Sequence, residues 1–194
     1  MRLPTVLQFA HSLLEQTVQS GDDAIDATVG NGHDTVFLAS LVGKSGRVFG
    51  FDIQKTAIEN TKKRLHAHGL IDRVTLFQTS HECVKKFVSP YTKKIKAAIF
   101  NLGYLPGGDK SIVTKPSSTL KAVKAIYAML EEGGRIVLVV YPGHEGGREE
   151  KDELLAYART IDQREAHVLK YEYINQVNDP PFVICIEKRM GEHR

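Results

Sequence analysis

Apolar and polar positions follow two alternating periods along the chain. Short apolar runs rich in Val, Ile and Phe are typical of buried strands, and the longer segments between them have helical spacing. We predict strands over 24–29, 46–52, 73–78, 95–101, 134–141, 165–173 and 182–188. We predict helices over 4–19, 34–42, 56–67, 82–87, 117–132 and 147–160. Alternation of strand and helix is typical of a parallel sheet covered on both faces.

The end of the chain departs from this alternation. The last two predicted strands are joined by the short Asn-, Asp- and Pro-rich segment 175–181, which indicates an antiparallel hairpin. We find no internal repeat and no linker-like stretch. The pattern therefore predicts an α/β fold with one Rossmann-like domain over 1–194, built on a seven-stranded, mostly parallel sheet with a C-terminal antiparallel hairpin. In such a fold, ligands bind at the carboxyl edge of the strands.

A glycine-containing turn follows the first predicted strand, in the segment DATVGNGHDT (26–35). Gly30 and Gly32 allow a ligand to approach the backbone closely just before a helix begins. Twenty residues after Gly32, the second predicted strand ends at Asp52. A carboxylate at that position can accept hydrogen bonds from both ribose hydroxyls of an adenosine. The turn and the acid together predict an adenosine-containing ligand.

The residues around this turn favour S-adenosylmethionine over a dinucleotide. A dinucleotide site usually has a third glycine where Thr35 stands, and Asp34 would place negative charge near a pyrophosphate. S-adenosylmethionine carries a sulfonium and an ammonium group, which Asp26 and Asp34 would attract. We therefore predict S-adenosylmethionine as the cofactor, with an NAD-dependent oxidoreductase as the outside alternative.

The candidate cofactor-binding residues lie at the ends of the first four predicted strands. Ser80 and His81 follow the third strand and are candidates for the adenine pocket, although helix capping explains Ser80 equally well. The predicted set is Asp26, Thr28, Gly30, Asn31, Gly32, Asp34, Thr35, Asp52, Gln54, Ser80, His81 and Asn101.

Three segments carry a resemblance to a known family: 26–35, NLGYLPGGDK (101–110) and YPGHEGG (141–147). They resemble class I S-adenosylmethionine-dependent methyltransferases and, within them, a small group labelled rRNA methylases, over about residues 3–189. The resemblance implies an enzyme that methylates the 5-aminomethyl group of the wobble uridine of bacterial tRNA, commonly a 2-thiouridine. The implied partner is tRNA, bound through its anticodon arm.

The same resemblance assigns the transfer site to the end of the fourth strand. Amine-directed methyltransferases commonly present Asn or Asp, two prolines and an aromatic residue there. Asn101 and Tyr104 match this pattern, whereas Leu102 and Gly103 stand where the prolines would be. The Asn oxygen accepts hydrogen bonds from the target amine and aims its lone pair at the methyl carbon. His144 is a candidate acceptor for the proton of the amine. The alternatives are that solvent accepts this proton and that His144 is an ordinary surface residue.

Two loops at this edge of the sheet, 103–116 and 141–148, are expected to form the substrate wall. Lys115 and Arg148 are candidates for phosphate contacts, although solvated surface charges explain them equally well. The predicted catalytic residues are Asn101, Tyr104 and His144, and the predicted substrate-binding residues are Tyr104, Lys115, Tyr141, His144 and Arg148.

Composition adds limits rather than a function. The 194 residues carry a net charge of +3, which permits contact with nucleic acid without arguing for it. Cys83 and Cys185 are too few for a disulfide framework and too far apart for a metal motif. We predict no metal, because methyl transfer from a sulfonium group needs none.

Polar residues interrupt the apolar stretches near the N-terminus, so we expect no membrane span and a cytoplasmic protein. A homodimer is the base-rate expectation.

Two alternatives stay open from the sequence alone. The methyl acceptor could be rRNA or a small molecule, since only the resemblance assigns the substrate. The chain could also be a non-catalytic RNA-binding module.

Methylation at carbon 5 of uridine would need a cysteine nucleophile, and neither Cys83 nor Cys185 lies in an activating motif. Nitrogen methylation is therefore the preferred reaction.

Overall fold

The computed structural model describes residues 3–103, 105, 107 and 113–191. Its strands are β1 (Asp23–Asp26), β2 (Arg47–Asp52), β3 (Val74–Gln78), β4 (Ile95–Asn101), β5 (Leu130–Val140), β6 (Ala166–Tyr171) and β7 (Phe182–Lys188). Its helices are α1 (Val6–Glu15), α2 (His33–Leu41), α3 (Lys55–Ala67), α4 (Val84–Val88), α5 (Pro116–Met129) and α6 (Gly147–Thr160). Short 3-10 turns cover Ile71–Arg73 and His81–Cys83.

The seven strands of the described residues form one sheet in the order β3-β2-β1-β4-β5-β7-β6. Strands β1 to β5 pair in parallel, and β7 pairs antiparallel with both β5 and β6. The predicted mostly parallel sheet with a C-terminal antiparallel hairpin is confirmed. The strand order reverses between β1 and β4, so the loops that follow these two strands diverge and leave a crevice at the carboxyl edge.

Two apolar layers cover the sheet. Helices α1, α2 and α3 pack on one face, around Leu14, Leu38 and Leu65, and α4, α5 and α6 pack on the other. Neighbouring residues of β4 therefore point into different layers, with Ile99 in the first and Phe100 in the second. Burial on both faces explains why the central strands read as continuous apolar runs rather than alternating ones.

Several predicted boundaries were wrong by a few residues. Strand β1 ends at Asp26 rather than at position 29, because the Asp26 carboxylate accepts the Thr28 backbone N–H and turns the chain. The opening helix is shorter than predicted: it begins at Val6, after a capping box formed by Thr5 and Gln8, and it ends at Glu15 rather than at position 19. Helix α5 ends at Met129, and the next residues extend β5 instead, where Leu130 pairs with Ile95.

No helix in the described part of the chain is both long enough and apolar enough to cross a bilayer.

Candidate active site

Asp26 ties the glycine turn together at the end of β1. Its carboxylate is fully buried and accepts from the Thr28 backbone N–H at 3.2 Å and from the Thr35 hydroxyl at 2.6 Å. Burial, followed by the negative charge of Asp34, raises the pKa of Asp26 to about 7. Both oxygens of Asp26 are thus engaged within the turn, so its observed contacts shape the turn that would hold a ligand.

Helix α3 braces the same turn from outside. Gly30 and Gly32 have φ of +52° and +80°, and a Cβ on Gly32 would lie 2.6 Å from Thr61 Oγ1. The Thr61 hydroxyl donates to the Gly30 carbonyl at 3.2 Å, and Arg64 Nε donates to the Asn31 carbonyl at 2.8 Å. Only glycine combines this backbone conformation with so close an approach. Thr61 and Arg64 were not predicted from the sequence, because no motif marks bracing residues 31 and 33 positions away.

Asp52 links the end of β2 to the glycine turn. One oxygen accepts from Gly30 N at 2.9 Å and the other from Gln54 N at 2.9 Å, just before α3 begins. Burial raises the pKa of this carboxyl, and the backbone N–H groups of Gln54, Gly30 and Ile53 oppose that rise. Each carboxylate oxygen has a further lone pair for a ribose hydroxyl. The exposed Ile53 side chain offers apolar surface beside them, so these residues fit an adenosine.

Ser80 and His81 lie after β3 in different environments. Ser80 Oγ accepts from Glu82 N at 3.3 Å, which is the capping role. The buried His81 ring donates from Nδ1 to the Ala27 carbonyl at 3.1 Å and lies edge-on to Phe100. Burial lowers the pKa of His81, which favours the neutral ring. Cofactor contacts by Ser80 and His81 stay predictions.

Asn101 meets the turn after β1 at the end of β4. Its backbone N–H donates to Thr28 Oγ1 at 2.6 Å, and its side-chain amide donates to Asp34 Oδ2. Tyr141, at the end of β5, is partly buried nearby, and its pKa is raised by burial and by the charge of Asp34. The structure therefore brings four predicted site residues to one point: Thr28, Asp34, Asn101 and Tyr141.

His144 faces the loop that follows β4. Its Nδ1 donates to the Glu145 carbonyl at 2.8 Å, and a Cβ placed on Gly103 would lie 3.6 Å from His144 Nε2. His144 therefore lies beside Gly103, which is two residues beyond Asn101. Tyr104 lies outside the described residues, so its pairing with Asn101 stays a prediction.

A cleft of about 400 Å³ opens beside His144. Arg148 Nη2 lies 2.7 Å from Asp179 Oδ2, and Lys151 Nζ lies 3.7 Å from the other oxygen of Asp179. Lys115 is exposed just before α5 and does not line this cleft. The lining residues are Pro142, Gly143, His144, Gly146, Arg148, Asn178 and Asp179.

A buried carboxylate holds the loop after β4 in place. Glu150 of α6 is 1% exposed and accepts from the hydroxyls of Thr119 and Thr114, both at 2.7 Å. Thr114 in turn pairs with Gly103 through two hydrogen bonds of 3.0 Å. Leu105, within the same loop, reaches Gly30, whose added Cβ would lie 3.5 Å from Leu105 Cδ1. Through Thr114, Glu150 therefore anchors Gly103, two residues after the end of β4.

Replacing Glu150 by alanine should lower the free energy of unfolding by about 2–4 kcal/mol, because the buried Thr119 hydroxyl and the half-buried Thr114 hydroxyl lose their acceptor and a cavity forms. Burial raises the pKa of Glu150 above its ordinary 4.5, against the two threonine hydrogen bonds. The folded state therefore binds this proton more tightly, and Glu150 favours folding increasingly as pH falls through the raised pKa towards 4.5. Denaturant unfolding of the wild type and of Glu150→Gln, whose amide does not ionise, measures this effect. As pH falls through that interval, the free energy of unfolding of the wild type should rise relative to that of Glu150→Gln.

Glu153 is the matched control, since it is exposed on the same helix. Glu153→Ala should change stability by less than about 0.5 kcal/mol. Equal losses for the alanine variants at 150 and 153 would contradict the anchoring role of Glu150.

The strand order and the acid-flanked glycine turn define the class I S-adenosylmethionine-dependent methyltransferases. Residues 48–187 match the family described as "Putative rRNA methylase". A chloroplastic tRNA (mnm(5)s(2)U34)-methyltransferase of Arabidopsis thaliana is 40% identical over 189 residues, which cover 93% of this chain and 69% of the plant protein. The chain belongs to this rRNA methylase family.

Two solved structures agree with this assignment. The rRNA methylase structure from Clostridium thermocellum superimposes with a TM-score of 0.93 at 46% identity, covering 97% of this chain and all of that one. A Streptococcus mutans methyltransferase in complex with SAH gives a TM-score of 0.88 at 40% identity, covering 96% of this chain and 99% of that one. The predictions of the methyltransferase fold and of S-adenosylmethionine as cofactor are confirmed. The NAD-dependent alternative is not supported.

Proposed function

We propose that this protein transfers a methyl group to the amine of the 5-aminomethyl group on the wobble uridine of tRNA. The observation that carries the proposal is the placement of Asn101 at the carboxyl end of β4, tied through Thr28 and Asp34 to the glycine turn. A side-chain amide at that position can accept a hydrogen bond from a substrate amine. The name of the plant relative, which specifies mnm(5)s(2)U34, supports the choice of base and position.

S-adenosylmethionine supplies an electrophilic methyl carbon with a good leaving group. In the proposed reaction, the neutral amine forms a bond to that carbon while the carbon–sulfur bond breaks and its electron pair goes to sulfur. The product is a secondary ammonium that then releases a proton. Asn101 orients the amine, which converts a bimolecular encounter into a positioned one. His144 or solvent accepts the released proton.

The environment of the buried cysteine supports nitrogen rather than carbon methylation. Attack on carbon 6 of uridine, which activates carbon 5, needs a thiolate. Cys185 lies in the middle of β7, opposite Val137 and Leu169, and burial raises its pKa to about 12. The Cys185 thiol is therefore protonated near neutral pH and is unsuited to this attack.

The cleft beside His144 is the proposed place for the anticodon arm. Arg148 and Asp179 line this cleft, and Asp179 forms ion pairs with both Arg148 and Lys151. A phosphate group can compete with Asp179 for the Arg148 guanidinium, which binds phosphate and carboxylate in the same geometry.

A substrate-binding role for Lys115 and a single domain over 1–194 are further proposals that rest on the sequence. A cytoplasmic location and a homodimer are also proposals.

The proposal predicts methyl incorporation into tRNA that carries the unmethylated aminomethyl group. Labelled S-adenosylmethionine, purified protein and such tRNA should yield the methylaminomethyl nucleoside, identified by nucleoside mass spectrometry. The matched control is tRNA without the aminomethyl group, which should remain unlabelled. Label in rRNA alone, or no label in any RNA while S-adenosylhomocysteine still binds, would contradict the proposed substrate.

A further inference from the structure

A histidine from the first helix reaches the transfer site. His11 of α1 places Nε2 2.7 Å from Asp34 Oδ1, and its ring stacks on Phe37 with centroids 4.1 Å apart and an interplanar angle of 11°. The Asp34 side chain is 12% exposed and that of His11 is 32% exposed. This contact joins α1 to the first turn of α2, and no motif in the sequence signals it.

The two oxygens of Asp34 have separate partners. His11 lies on Oδ1, and the side-chain nitrogen of Asn101 lies on Oδ2. An ionised carboxylate only accepts hydrogen bonds, so His11 donates from Nε2, and Asn101 must direct its NH₂ group towards Asp34. The backbone of Asn101 is held independently by Thr28. Its amide oxygen is therefore turned away from Asp34.

We propose that His11 and Asp34 are positioning residues that hold the Asn101 amide with its oxygen presented to the substrate amine. This inference rests on the proposed function. If the amide of Asn101 flipped, its NH₂ group would donate to the amine lone pair that must attack the methyl carbon. His11 acts through Asp34 by restricting the carboxylate to one orientation, and the stack on Phe37 restricts the His11 ring in turn.

Two substitutions of His11 separate hydrogen bonding from packing. His11→Phe retains an aromatic ring for Phe37 and loses the donor, whereas His11→Gln retains an N–H donor and loses the ring. We expect His11→Phe to lower kcat by about 10- to 100-fold, since small misplacements at a reacting group cost this much. We expect His11→Gln to recover kcat to within about 5-fold of the wild type, with KM for tRNA and for S-adenosylmethionine nearly unchanged in both.

His167 provides the control, since it is exposed on β6, and His167→Phe should retain the parental kcat. Parental kcat in His11→Phe would overturn the proposal. So would a kcat for His11→Gln as low as that for His11→Phe, because a role in packing alone predicts no rescue by an amide.

A measurement without substrate keeps this inference separate from the proposed function. In ¹⁵N NMR spectra, the side-chain NH₂ signals of Asn101 should exchange slowly with water in the wild type and in His11→Gln, and rapidly in His11→Phe. If the three proteins show this pattern of exchange but the wild type methylates no tRNA, the proposed substrate fails and the positioning role stands. Unchanged Asn101 signals in His11→Phe would overturn the positioning role whatever the substrate is.

Discussion

Replacing Asn101 by alanine is expected to lower the rate of methyl transfer by about 100- to 1,000-fold, the range measured when one transition-state hydrogen-bonding group is removed. The variant loses the acceptor that orients the substrate amine. It also removes the hydrogen bond from Asn101 to Asp34 and leaves the one from His11 to Asp34. Binding of S-adenosylhomocysteine should change by less than about 3-fold, because the glycine turn and Asp52 stay in place. Single-turnover methylation and isothermal titration calorimetry measure the two quantities separately.

Asn175 is a suitable control for this substitution, since it is an exposed asparagine in the loop between β6 and β7. Asn175→Ala should transfer methyl groups at the parental rate. A parental rate for Asn101→Ala would show that the transfer site is assigned to the wrong residue. Equal losses of S-adenosylhomocysteine affinity and of rate would instead make Asn101 a cofactor-binding residue only.

Replacing Asp52 by alanine is expected to weaken S-adenosylhomocysteine binding by about 100-fold, which corresponds to roughly 2.7 kcal/mol. The lost carboxylate is the predicted acceptor for the ribose hydroxyls. It also accepts from Gly30 N and Gln54 N, so the free energy of unfolding should fall by about 1–3 kcal/mol. Calorimetric titration gives the affinity, and denaturant unfolding gives the stability.

The exposed Asp72 in the turn before β3 serves as the comparison for this loss of charge. Asp72→Ala should bind S-adenosylhomocysteine like the wild type. Wild-type affinity in Asp52→Ala would remove Asp52 from the cofactor site. A loss of stability without a loss of affinity would restrict Asp52 to bracing the glycine turn.

Both of these residues could be predicted from the sequence because their signals are local. Asp52 follows a buried strand at a recognisable distance from Gly32, and Asn101 ends an apolar run whose predicted bounds match β4. Strand and helix periodicity likewise determined the α/β class, the number of strands and the antiparallel ending. The preferences of the backbone, the alternation of burial and the need for glycine in tight turns all act within a few residues.

The residues that support the site were decided by tertiary structure. His11 reaches Asp34 across 23 positions, Thr61 reaches Gly30 across 31, and Glu150 reaches Thr114 across 36. Such contacts depend on which helix packs on which face of the sheet and on the order of the strands. Local periodicity carries no information about either. The sequence by itself therefore determined the type of fold and the groups predicted to touch the ligands, whereas the packing of distant helices decided what holds those groups in place.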